Sequence, residues 1–189
     1  DVGGVRLGLP DAAAAAVGGG REVVILLDRS FSMRIGDRWS RAQAAARQAL
    51  DGLGAADRGT LIVFADQARA VREANDSRAV LRATVDSVSP GDAATRYAPA
   101  LVLARRTIAE STLPKREVIV ISDFQRSGWD VGEDARLPSG TVVTPIDVAS
   151  EGVEDRAVRA VELRRSVADG RERITVTAFA CRWLSTGIS

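Results

Sequence analysis

The chain has 189 residues, 46% of them apolar and 27% charged, and a formal net charge of +1; that length suits one domain and part of another, with about 70% of the unfolded surface buried. This balance argues against wholesale disorder, and the near-neutral charge leaves no global basic field to recruit nucleic acid or anionic lipid. The chain contains no histidine and a single cysteine, which excludes Ser-His-Asp and Cys-His catalysis, His-ligated metals, an internal disulfide and a thiolate zinc site.

From Asp1 to about residue 21 the pattern is weak, "VRLGL" followed by "DAAAAAVGGG", and reads as a lead-in or linker. Val23 to Leu27 is a continuous aliphatic run, as expected of a strand buried on both faces of a parallel sheet. In "WSRAQAAARQALDGLG", Trp39, Ala42, Ala46, Ala49, Leu50 and Leu53 recur at helical spacing with glycines near the end, which predicts an amphipathic helix with Trp39 packed in the core. "GTLIVFAD" predicts a second buried strand and "ARAVRE" a short edge strand beside it. "NDSRAVLRATVDSV" starts with capping residues and carries Leu81, Val85 and Val88 on one face, so a short helix is expected.

"SPGDAAT" is a loop by its Pro and Gly, and "RYAPALVLARRTIAES" returns to helical spacing with Pro99 in the first turn. "REVIVISD" and "GTVVTPIDV" predict a third and a fourth strand, so residues 22–150 read as an α/β domain with a mostly parallel sheet covered by helices on both faces. Residues 151–189 change texture: "RAVRAVELRRSV" and "RERITVTAFA" alternate around "ADG", the expected start of an incomplete β-rich second domain. No apolar run approaches the roughly 18 residues of a transmembrane helix, and the opening residues lack the regions of a signal peptide. A start at Asp1 is expected of a piece whose anchors or signals lie elsewhere in a longer protein.

Ligands of a parallel α/β sheet bind outside the carboxyl ends of its strands. There Asp28, Ser30 and Ser32 leave the first strand as D-x-S-x-S, and alternate residues of an extended segment point the same way. Thr95 lies in "GDAATRY" just before a helix, and Asp123 ends "VIVISD" at the tip of another central strand. These five oxygen donors, without nitrogen or sulfur, suit Mg²⁺, Mn²⁺ or Ca²⁺ rather than zinc or copper. Each has a bland reading: a turn in which Asp28, Ser30 and Ser32 bond their own backbone, a helix cap for Thr95, a strand terminus for Asp123. Together, these donors from three separate segments could meet at one sheet edge.

D-x-S-x-S after a hydrophobic strand, a Thr in a Gly-containing loop before a helix and S-D after a later strand together resemble the metal-ion-dependent adhesion site of von Willebrand factor A (VWA) domains. More narrowly, "DRSFSM", "GDRWSRAQAAA", "TRYAPAL" and "VIVISDFQRSGW" resemble bacterial VWA proteins of the aerotolerance (Bat) type. The resemblance covers residues 22–149 and implies a Rossmann-like fold. It implies direct coordination through Ser30, Ser32 and Thr95, with Asp28 and Asp123 acting directly or through waters, and an open metal position that takes an Asp or Glu from a partner protein. It also implies a parent protein in the bacterial cell membrane, with this chain as a soluble part that itself contacts neither membrane nor nucleic acid.

Three departures stand out. Arg96 follows the loop threonine where an acid or amide is common, Phe124 replaces the usual Gly after the strand-end Asp, and Arg29 adds a second cation. Phe124 and Trp129 are weighed as partner contacts against core packing. A Mg²⁺-dependent phosphatase or phosphotransferase with Asp28 as nucleophile is the rival function, disfavoured because Ser30 stands where its second carboxylate belongs. An inert scaffold with an unfilled site is the third.

Overall fold

The computed structural model describes residues 19–72, 77–129, 135–149, 154–168 and 171–184. The weakly patterned lead-in before Gly19 and the last five residues lie outside the described residues. The chain divides into two compact units, Asp1–Ala149 and Ser150–Ser189.

In the first unit the elements follow the hydrophobic pattern. Strand β1 (Arg21–Asp28) is followed by a single 3₁₀ turn at Phe31–Arg34, helix α1 (Arg38–Asp51), strands β2 (Arg58–Phe64) and β3 (Ala68–Arg72), and helices α2 (Arg78–Ser87) and α3 (Tyr97–Glu110). Strands β4 (Lys115–Ser122) and β5 (Thr141–Asp147) complete it. The sheet order is β3-β2-β1-β4-β5, with β1 parallel to β2 and β4, β4 parallel to β5, and only β3 antiparallel. The expected α/β fold with a mostly parallel sheet is therefore what the chain adopts.

Strand alternation sorts the core into two layers. Val23, Ile25 and Leu27 of β1 pack with Ala42, Ala46 and Leu50 of α1 and Leu81 and Val85 of α2, with Trp39 half-buried against them. Val24 and Leu26 face the other way, with Ile62, Phe64, Val118, Val120 and the inner side of α3. Continuous aliphatic strands are thus read correctly as buried on both faces. The small residues on α1 suit close approach of a helix to the sheet.

The chain runs outward from β1 through β2 to β3, then returns to place β4 on the other side of β1. The strand order therefore reverses between β1 and β4, and the crevice at their carboxyl ends is where such sheets take ligands. Asp28 ends β1 on the α3 side, two residues beyond Leu26, and Ser122 ends β4 on the same side beyond Val120.

The second unit is one antiparallel pair, β6 (Glu154–Ala168) and β7 (Arg171–Leu184), with a register shift between Val158 and Ala160. Val161, Leu163 and Arg165 stand opposite Ala178, Val176 and Ile174.

Candidate metal centre

Four of the five expected donors form one hydrogen-bonded chain. The Thr95 hydroxyl donates to Ser30 Oγ at 2.8 Å, Ser30 Oγ lies 3.1 Å from Ser32 Oγ, and Thr95 Oγ1 lies 3.5 Å from Asp28 Oδ2. Asp28 Oδ1 accepts from the Ser30 backbone N–H at 2.8 Å, the local turn that the bland reading proposed, so turn and cluster coexist. All four residues are buried, and Asp28 is fully so.

The loops are fixed by backbone bonds rather than by chance packing. Phe31 N–H donates to the Ala93 carbonyl at 2.8 Å, which ties the serine loop to the threonine loop, and Arg96 N–H donates to the Ala65 carbonyl at 2.8 Å. A β-carbon on Gly128 would meet the Tyr97 ring at 2.7 Å and the Thr95 carbonyl at 3.0 Å, so only glycine lets that turn close on the threonine loop.

Asp123, the fifth expected donor, is buried at the end of β4 but belongs to a different set of contacts. Its Oδ2 accepts from Arg38 Nη1 at 2.7 Å, and the same nitrogen donates to the Ser32 carbonyl at 3.2 Å. Arg38 was not singled out from sequence. The signal available was its place at the start of a helix whose next turns are apolar, which gives no hint that a charged residue there is wholly buried. Arg29 and Arg96, the cations the sequence pointed to, are only half-buried.

Ser122 was also missed. Its hydroxyl donates to Asp28 Oδ2 at 2.6 Å and accepts from Phe124 N–H at 3.2 Å, and Tyr97 OH lies 3.1 Å away. Since Ser122 spends its one proton on the carboxylate, Tyr97 is the donor to Ser122. The usable signal was periodicity: in "VIVIS" Ser122 falls on the same face as the core residues Val118 and Val120, so its hydroxyl had to find a buried partner.

Burial pushes the Asp28 carboxyl above its ordinary value, the hydrogen bonds from Ser122 and Ser30 oppose that rise, and nearby Asp123 adds to it. Burial likewise pushes the Tyr97 phenol up, with Ser122 opposing it and the acids reinforcing it. Phe124 holds φ +48°, the left-handed region that glycine occupies without cost. Its ring is packed rather than free: Tyr97 stacks with Phe124, 6.2 Å between centroids, and with Trp129, 4.2 Å. Trp129 is nevertheless 52% exposed, and Phe31, between the two site serines, is 56% exposed.

Among the described residues no three His, Cys, Asp or Glu side chains come together, so a cation here depends on hydroxyl oxygens. The donor set fits such an ion. Oxygen separations of 2.8 and 3.1 Å between the three hydroxyls match the edge of about 3 Å of an octahedron with metal–oxygen bonds of about 2.1 Å.

The family description of the von Willebrand factor type A domain matches residues 23–125. The chain belongs to that family, whose fold serves metal-dependent adhesion and interaction. Within it, the fold is similar to that of an aerotolerance-related membrane protein from Bacteroides fragilis, with 23% identity over 82% of this chain and 81% of that one and a TM-score of 0.54. It is similar also to BatB from Bacteroides thetaiotaomicron, with 22% identity over 84% and 80% of the two chains and a TM-score of 0.55. The proximal thread matrix protein 1 of the mussel byssus, described with a zinc-occupied adhesion site, is 17% identical over 69% of this chain and 36% of its own, with a TM-score of 0.53. The chain thus spans about a third of that protein, and a fifth of the three N-terminal domains of a type V pilus tip protein from Porphyromonas gingivalis. No curated protein matches the sequence. No helix among the described residues is long and apolar enough to cross a membrane.

Proposed function

We propose that the carboxyl edge of the sheet binds a divalent cation, Mg²⁺ in the first place and Mn²⁺ or Ca²⁺ as alternatives, and uses it to hold an Asp or Glu of a partner protein. Ser30, Ser32 and Thr95 supply the hydroxyls, and Asp28 and Asp123 act directly or through water. The observation that carries this reading is the run of buried oxygens Ser32–Ser30–Thr95–Asp28, from separate loops, at spacings that suit one ion. Neutral hydroxyls beside few carboxylates leave such an ion short of charge, and an incoming carboxylate makes up the difference.

Residues 22–150 are the binding domain in this reading and residues 151–189 the start of a second one, which the division of the chain after Ala149 supports. The parent protein is placed in a bacterial membrane with this domain outside the bilayer, supported by likeness to aerotolerance-related membrane proteins. The domain is a binding module and not an enzyme: Ser30, two residues after Asp28, is engaged in the hydroxyl chain and offers no general acid.

Calorimetric titration of Mg²⁺ into chelator-treated protein tests the reading. Micromolar to millimolar binding is expected, lost in the Ser30→Ala, Ser32→Ala double variant while its fold persists. Silence up to millimolar Mg²⁺, or an unchanged double variant, defeats it. Turnover of a generic phosphate ester in Mg²⁺, abolished by Asp28→Asn, would establish the enzyme instead.

A further inference from the structure

Arg38 opens α1, yet its entire side chain lies inside the protein, 2% exposed. The Asp123 carboxylate it meets is equally enclosed, and Arg38 Nε has no hydrogen-bond partner among the described residues. A buried ion pair is a poor source of net stability, because both charges lose their hydration, and an unmet guanidinium N–H adds to that cost. An apolar side chain would complete the inner face of α1, where Ala42, Ala45, Ala46, Ala49 and Leu50 already point inward. Packing therefore does not account for arginine here. What arginine does is join, through one nitrogen, the backbone of the serine loop to the end of β4, and cancel one of the two buried carboxylate charges, Asp28 and Asp123, at this edge of the sheet.

We infer that Arg38 is a positioning residue that stands in for a cation at Asp123, keeping the donor loops assembled before a divalent ion arrives and lowering the negative charge that the ion meets. The inference rests on the metal-binding reading above. Two carboxylates less one guanidinium leave a single negative charge, so the ion is held more loosely and keeps more of its own charge for an incoming carboxylate. Asp123 then acts on the ion chiefly through its pairing with Arg38, and Asp28 is the carboxylate left beside the hydroxyls.

The test compares thermal unfolding and Mg²⁺ calorimetry of the full chain with those of Arg38→Met, Arg38→Lys and the double variant Arg38→Met, Asp123→Asn. Chelator-treated Arg38→Met is expected to melt below the unaltered protein, to regain most of the loss in saturating Mg²⁺, and to bind Mg²⁺ at least about fivefold more tightly, since the competing cation is gone. Arg38→Lys, which keeps the charge, is expected to bind as the unaltered chain does. The double variant also removes the carboxylate that loss of Arg38 sets free, so it is expected to bind Mg²⁺ more weakly than Arg38→Met; should Arg38→Met fail to fold without metal, recovery of its fold on adding Mg²⁺ decides the matter. An Arg38→Met deficit that Mg²⁺ leaves untouched, in a protein that otherwise binds Mg²⁺, overturns the inference. So does a double variant that binds Mg²⁺ as tightly as Arg38→Met. An unaltered chain with no response to Mg²⁺ is a separate outcome, which brings down the metal reading and this inference with it.

Discussion

At the amino-terminal edge of the sheet, Arg21 reaches Asp57 and Glu117, each at 2.9 Å, and Glu117 also accepts from Thr144 at 3.0 Å. At the carboxyl-terminal edge, one carboxylate, Asp123, has its arginine, while Asp28 is surrounded by hydroxyls alone among its hydrogen-bonding side chains. The same residue types are thus used in two ways. At the first edge two acids share one cation, with Arg21 of β1 joining the loop before β2 to strand β4, so the cluster works as a staple. At the second edge one buried acid carries its charge against neutral dipoles that can turn either way, donating to the carboxylate or presenting lone pairs to a cation. A hydroxyl cluster around a buried carboxylate therefore reads as a receptor, and a guanidinium between two carboxylates as a fastener.

That comparison can be broken most sharply at Asp28. Asp28→Asn is expected to weaken Mg²⁺ binding at least about 100-fold, or about 2.7 kcal/mol, with no loss of metal-free stability in thermal melts, because the Ser122 and Thr95 hydroxyls can turn to accept from the amide N–H and no charge is buried. A clear drop in metal-free stability would make Asp28 structural, like its counterparts at the other edge. Arg21→Met should do the reverse: it strands two mostly buried carboxylates at a cost of about 2–3 kcal/mol in denaturant melts and leaves Mg²⁺ affinity unchanged. A matching loss of affinity would mean that the two edges are not independent.

At Phe124, both Gly and Ala remove the ring, but only Gly suits φ +48°. Phe124→Gly should therefore be about 1 kcal/mol more stable than Phe124→Ala, and equal stabilities would show that the loop relaxes out of the left-handed region. The smallest effect is expected at Glu22, whose carboxyl burial pushes up, against the Ser111 hydrogen bond and the Arg58 charge. An acid whose folded value is raised contributes stability that is full below its unfolded value of about 4.5 and is lost as pH rises through the folded value. Glu22→Gln should flatten that fall, giving a slight gain at pH 7 and none at pH 4. Asp57 has the opposite sign. Burial would raise it, but the bonds from Gly54 and Arg21 and the Arg21 charge outweigh that, so its contribution is lost as pH falls below the ordinary carboxylate value of 3.8.

Much of this was legible in the chain itself. Aliphatic runs with an acid at the tip mark β1 and β4, and the spacing of Asp28, Ser30, Ser32 and Thr95 anticipates four oxygens that do come together. Periodicity located β3 as an edge strand and the antiparallel pair β6–β7 as well, because alternation of polar and apolar residues marks a strand wherever it pairs. What stayed hidden depended on distant segments. Arg38 looks like a surface residue at a helix start until the end of β4, 85 residues on, supplies its carboxylate. Ser122 looks like part of a strand end until Asp28, 94 residues earlier, takes its proton. Phe124 was visible as a departure from the family pattern, but only backbone geometry shows that it sits in the left-handed region with its ring stacked on Tyr97.

The indole of Trp129 is open to water on one side and lies against Tyr97 on the other, and the Tyr97 hydroxyl reaches Asp28 through Ser122 alone. Nature has thus mounted a fluorophore two polar links from the charge that a guest would alter. Emission from this side chain, isolated by replacing Trp39 and Trp183 with Phe, gives an unlabelled optical gauge of occupancy at the sheet edge.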